Sequence, residues 1–299
     1  MAVAPWAVGV VLVLVVAEAV ADSLGMWASV RPLGAGLSVP RSVQFAFAGD
    51  FFDTLSPAGP VSSEPIMARF VGVATETTYS EALGVRGLAK YVKSVTQLLV
   101  STAIVGVLLL DGVTPRFVAV TLGGAAIALL VVGTVVVRSR VTLSRGLTAV
   151  LGPVVGRLSA LYREQPHSPE AVAAAVDRFW LRIVRFRDEP GLLGLIALGG
   201  CLEQLLTAAA LWVALAGTGT TVAILPIVAV VPLPQAASAL PVPASLGAYD
   251  ILLAGALVLM TGAVLADATA AALVVRTFSL TVALVGGGVA TGFLRGWRP

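Results

Sequence analysis

Of the 299 residues, 58% are hydrophobic and only 12% charged, and the mean hydropathy is +0.98. Soluble domains carry about twice that charged fraction, so there is no room for a separate soluble catalytic domain. A single cysteine, Cys201, excludes an internal disulfide, and a single histidine, His167, removes most zinc or haem chemistry. No cofactor is expected.

The fold class expected is all-α: one polytopic transmembrane helix bundle over residues 1–299 with two broken segments. The first span runs from Trp6 to Met26, too long and too poor in basic residues at its start to be a cleaved signal. Glu18 and Asp22 stand one turn apart near its end, where they can snorkel. Residues Ser42 to Thr75 are interrupted at Ser56-Pro57-Ala58-Gly59-Pro60 and again at Glu64-Pro65. Two half-helices meeting at a break are expected there, because irregular backbone at membrane depth survives only inside protein or beside water.

Tyr91 to Leu110 and Phe117 to Val137 read as ordinary spans joined by a tight turn. Residues 138–190 form a polar, Arg-rich segment in which Ser168-Pro169-Glu170 starts a helix. That helix could lie on anionic headgroups, but a basic linker obeying the positive-inside rule is the simpler reading. Leu192 to Ala216, Val222 to Ala239, the short Asp250 to Leu265 and Thr269 to Phe293 complete the chain. Glu203 and Gln204 line a path or mark a close helix contact after Gly199-Gly200. Gly286-Gly287-Gly288 is expected to let another helix approach.

Basic residues in short loops set orientation. They place 138–190 and the C-terminus in the cytoplasm of a cell-membrane protein. Arg31, Arg41, Arg86, Lys90 and Lys93 fall on the same side, and the N-terminus falls outside.

Two places break the rules for spanning helices in the same way. Ser56-Pro57-Ala58-Gly59 leads to Glu64, and Leu240-Pro241-Val242-Pro243 leads through Gly247 to Asp250. Each is a Pro/Gly break, then small residues, then a carboxylate opening a short apolar helix. Paired breaks point to a transporter's binding site and are compatible with an inverted repeat. A half-helix starting near Ser62 directs free N–H groups at a phosphate. Asp53, Glu64 and Asp250 could meet an amine or sugar hydroxyls, or pair with Arg69 and Arg276. The plainer alternative is that Glu64 and Asp250 only cap their helices.

These residues resemble a family. The Ser56–Gly59 break with Glu64 and Thr75 to Ala82 resembles the first signature of the lysylphosphatidylglycerol synthase transmembrane, flippase-like family. Leu240–Pro243 with Leu246-Gly247-Ala248 resembles the second, and Arg276 matches an arginine often found on the last span. The resemblance leans to stand-alone archaeal members without the aminoacyltransferase domain. It implies re-entrant helices and movement of a polar lipid, an aminoacyl-phospholipid or lipid-linked glycan precursor, between leaflets. The implied site comprises Asp53, Pro57, Gly59, Glu64, Arg69, Pro241, Pro243, Gly247, Asp250 and Arg276.

Two positions depart from the family's usual pattern, Asp250 standing for Glu and Asp53 for Asn, and the family usually has one more span before the first one here. Partners would be membrane lipids or lipid-linked glycans, lipid- or glycan-modifying enzymes and a second copy of the chain, with no nucleic acid. The alternatives are a membrane transferase using Asp50 and Asp53, or a non-transporting scaffold of a glycan- or lipid-modifying complex.

Overall fold

A computed structural model describes residues 3–56, 60–110, 112, 115–146, 169–234 and 247–297. Helices are α1 (Pro5–Val30), α2 (Val39–Leu55), α3 (Pro60–Thr75), α4 (Tyr79–Leu110), α5 (Arg116–Arg138), α6 (Pro169–Arg185), α7 (Pro190–Gly217), α8 (Ile224–Val230), α9 (Ala248–Thr261), α10 (Leu265–Thr281) and α11 (Gly287–Gly292). A π-helical turn, Val282–Gly286, joins the last two. Among the described residues, five stretches are long and apolar enough to cross a membrane: α1, α4, α5, α7, and α10 through α11. This is a multi-pass helical membrane protein.

Two spans depart from the expected boundaries. Helix α4 starts twelve residues early, so Arg86 and Lys90 lie inside it together with Lys93 and not in a loop ahead of it. Hydropathy averaging cuts a span where cations cluster, although the helix itself continues. Likewise Val222 to Ala239 does not form one span: α8 covers Ile224–Val230 and passes into turns.

The first break is real but shorter than expected. Ser56 closes α2 in extended conformation, φ −73° and ψ 133°, as the residue preceding a proline must. Glu64-Pro65 does not interrupt α3, because Pro65 sits inside the helix. A proline this near the start removes a single bond, to the residue four before it. Gly34, at φ 45°, lies against the Thr75 carbonyl, so both ends of the α2–α3 hairpin meet at the α4 N-terminal end. The structure shows a broken helical pair; residues 57–59 and 235–246 lie outside the described residues.

Apolar packing is divided in two. One core gathers Val11, Leu122, Leu211, Leu215, Ile227 and Leu257. The other gathers Met26, Leu33, Phe45, Met67, Phe70 and Ile196. Helices α1, α4 and α7 contribute to both, and where they pass from one to the other they carry charged residues. Small residues make the crossings tight: Gly199 faces the Gly25 backbone, and Gly287 meets the Phe47 carbonyl. The Gly286–Gly288 run therefore admits α2, whose Gln44 donates to the Ala290 carbonyl at 3.0 Å.

Candidate functional site

Helix α4 presents a polar stripe. Arg86, Lys90 and Lys93 stand at i, i+4 and i+7, one face of a helix, and Gln97 and Ser101 continue it. Opposite them, four other helices supply the anions.

Arg86 donates to both Glu64 oxygens of α3, Nη2 at 2.6 Å and Nε at 2.8 Å. The two side chains are 5% and 10% exposed. Such a two-point pair is geometrically specific and its members are costly to separate once buried. The third direction of the guanidinium is filled by the Met26 sulfur at 3.2 Å. Next along the stripe, Lys90 reaches Asp53 of α2 at 3.0 Å and Glu64 at 3.6 Å. Asp53 also accepts a short bond from the Ser63 hydroxyl. One ammonium thus spans the two helices that flank the first break.

Lys93 holds Asp22 of α1 at 2.8 Å and Glu203 of α7 in a second ion pair. Glu18 and Asp50 lie within electrostatic reach of the same group. Further along, Gln97 donates to the Gly200 carbonyl at 3.1 Å. Gln204 donates to Ser101 and to the Val228 carbonyl, at 2.9 and 2.8 Å. Asp22 is therefore tied down inside the bundle and does not snorkel.

Depth follows from helix geometry. Counted back from Leu110, Lys93 is about 25 Å along α4, Lys90 about 30 Å and Arg86 about 36 Å, at 1.5 Å per residue. The hydrocarbon layer is roughly 30 Å thick. A layer of that thickness measured from Leu110 ends among the cations, with Gln97 and Ser101 well within it. That placement lowers the expense of keeping charges in a membrane protein.

The second carboxylate is arranged differently. Gly247, at φ 82°, precedes α9, and its N–H donates to Asp250 at 3.2 Å, which makes Asp250 a cap. The same carboxylate lies 3.9 Å from Arg276 of α10, whose guanidinium covers the Tyr249 ring at 4.4 Å. Glu64, by contrast, is a full turn into α3 and pairs with Arg86, so the capping alternative does not describe it. Arg69 is exposed; the cations that meet Asp53 and Glu64 are Lys90 and Arg86. Pro57, Gly59, Pro241 and Pro243 lie outside the described residues.

Two spaces adjoin these groups. A cavity of about 20 Å³ lies among Asp22, Met26, Arg86, Lys90, Lys93 and Gly200. It has room for about one water molecule. A groove of about 750 Å³ opens between α4, α5 and α9, walled by Leu98, Phe117, Leu122, Ile251 and Leu259. Its lining is almost wholly apolar, as an alkyl chain would require. Among the described residues no three His, Cys, Asp or Glu side chains converge on a metal-holding group.

The cations Arg86, Lys90 and Lys93 were missing from the sequence-level site. Their i, i+4, i+7 spacing is the available signal, concealed because a span begun at Tyr91 leaves Arg86 and Lys90 outside it.

A helix bundle with five apolar spans and paired charges buried between them defines the class of polytopic membrane proteins. The chain is a member of the lysylphosphatidylglycerol synthase TM region family, which matches it over residues 1–287. That match does not extend to an archaeal affinity. No curated protein and no solved structure matches the chain.

Proposed function

We propose that this protein is a non-enzymatic, flippase-like carrier that translocates a polar lipid, an aminoacyl-phospholipid or lipid-linked glycan precursor, between leaflets. The observation that carries this reading is Lys90, shared between Asp53 on one side of the α2–α3 break and Glu64 on the other. A polar headgroup entering at the break competes for these groups: its phosphate for Arg86 and Lys90, its amine or hydroxyls for Asp53 and Glu64. Asp250 and Arg276 offer a second such pair at the start of α9.

The small polar cavity means that the network is closed as it stands, and entry requires ion pairs to exchange. The lipid's chain would meanwhile remain in the apolar groove. On this reading α2 and α3 form a re-entrant hairpin, and 138–190 and the C-terminus face the cytoplasm. Lipid-modifying enzymes and a second copy of the chain are the partners to seek.

The test is leaflet distribution in proteoliposomes containing fluorescent aminoacyl-, glycosyl- or plain phospholipids. Wild type should accelerate translocation of one headgroup class, and Lys90→Met and Glu64→Gln/Asp250→Asn should lose it. If folded wild-type protein moves none of these lipids, the proposal fails for them. Partner assembly and turnover of lipid-phosphate substrates then become the functions to measure.

A further inference from the structure

Helix α6 and residues 140–146 enclose a space that plays no part in the proposed translocation. The cavity, about 560 Å³, is lined by Arg140, Arg145 and Trp180 together with Val141, Leu181 and Val184. Its position is fixed by two contacts. The Phe179 backbone presses on Gly84 of α4, and Arg182 holds Glu81 at 2.8 Å. Because residues 140–146 directly follow α5, the cavity opens where a span leaves the apolar layer.

Its chemistry is split. Arg140 and Arg145 are exposed and have no ion pair among the described residues. The indole N–H of Trp180 is buried and meets no acceptor there, which costs free energy unless something accepts from it. Val141 and Leu181 are left exposed beside these polar groups. Among the described residues Asp177 is the one carboxylate on the lining, so their side chains together carry a net positive charge. Two guanidiniums, an indole donor and an adjoining apolar surface at a membrane boundary match a phosphodiester with attached acyl chains.

We propose that this cavity is a peripheral binding site for an anionic phospholipid of the adjacent leaflet, separate from the α4 charge network. A soluble phosphate would use the arginines and the indole but would leave Val141 and Leu181 uncovered, and therefore a lipid is the occupant favoured.

The experiment uses the purified full-length protein in phosphatidylcholine–detergent micelles, titrated with brominated phosphatidylglycerol, which quenches tryptophan fluorescence on contact. Wild type should show a saturable quenching component that Trp180→Phe removes. Arg140→Gln/Arg145→Gln should weaken it about 30-fold, at about fivefold per arginine beside an anionic lipid. Trp180, Arg140 and Arg145 are at the surface or partly so, and unchanged thermal unfolding shows that these variants are folded. Glu64→Gln should leave the quenching intact, so a failure of translocation and a failure of this site are distinguishable. The proposal is overturned if the double arginine variant binds like wild type. It is equally overturned if brominated phosphatidylcholine quenches Trp180 with the same affinity, or if inorganic phosphate displaces the lipid at comparable concentration.

Discussion

Removing either partner of the Arg86–Glu64 pair should destabilise the protein unequally, and the structure gives the order. An exposed ion pair is worth at most about 1 kcal/mol, whereas stripping one partner from a buried pair costs about 3–5 kcal/mol. In Arg86→Met, Glu64 keeps Lys90 at 3.6 Å, so the loss should be about 3 kcal/mol. In Glu64→Leu, the one direct contact left to Arg86 among the described residues is the Met26 sulfur, so the loss should approach about 5 kcal/mol. The double variant Glu64→Leu/Arg86→Met removes both charges, and replacing a whole buried pair is often close to neutral. It should be more stable than either single variant.

Thermal unfolding in detergent, followed by tryptophan fluorescence, measures this. At about 2 °C per kcal/mol for a chain of this size, the single variants should melt roughly 6 and 10 °C below wild type. Single losses under about 1 kcal/mol each, or a double variant as unstable as the sum, would refute the buried-pair reasoning.

Three further outcomes are expected. Gly84→Ala places a methyl 2.8 Å from the Phe179 carbonyl oxygen, and should cost about 1–3 kcal/mol by overpacking. Gly87→Ala, which meets nothing within 4 Å, should be neutral or stabilising by up to about 1 kcal/mol; melting temperatures compare the two. Gln204→Leu deprives Ser101 and the Val228 carbonyl of their donor and should cost about 1–3 kcal/mol in the same assay. Asp250→Asn keeps a side chain able to cap α9 but weakens the contact with Arg276. It should cost under about 1 kcal/mol while lowering translocation by roughly tenfold in proteoliposomes.

Span positions were legible wherever an apolar run was uninterrupted, because length and hydropathy decide them. Leu192 to Ala216 lies within α7, and Phe117 to Val137 within α5. The first break could be read because proline dictates the conformation of Ser56 before any tertiary contact is made. The α4 start could not: Arg86 and Lys90, with Lys93 close behind, look like the end of a loop to a rule that counts charge without asking what neutralises it. Their partners lie 22 to 110 positions away in the sequence, on α1, α2, α3 and α7. Pairing of that kind is decided by helix packing, which depends on Gly199 meeting Gly25 and on the glycine run meeting Phe47. Asp250 and Arg276 were easier, since α9 and α10 are adjacent helices joined by the turn at Gly262.

The distribution of sign along this network has a mechanical meaning. Every cation is on α4, and every anion is on another helix. Because Arg86 and Lys90 are one turn apart, sliding α4 by about 5.4 Å would carry one cation towards the place the other had left. Lys90, already within 3.6 Å of Glu64, needs only part of that travel to take over the carboxylate. Lys90 is thus the shared member of the row: it can keep Asp53 or Glu64 when the other is taken, which neither Arg86 nor Lys93 can do for both.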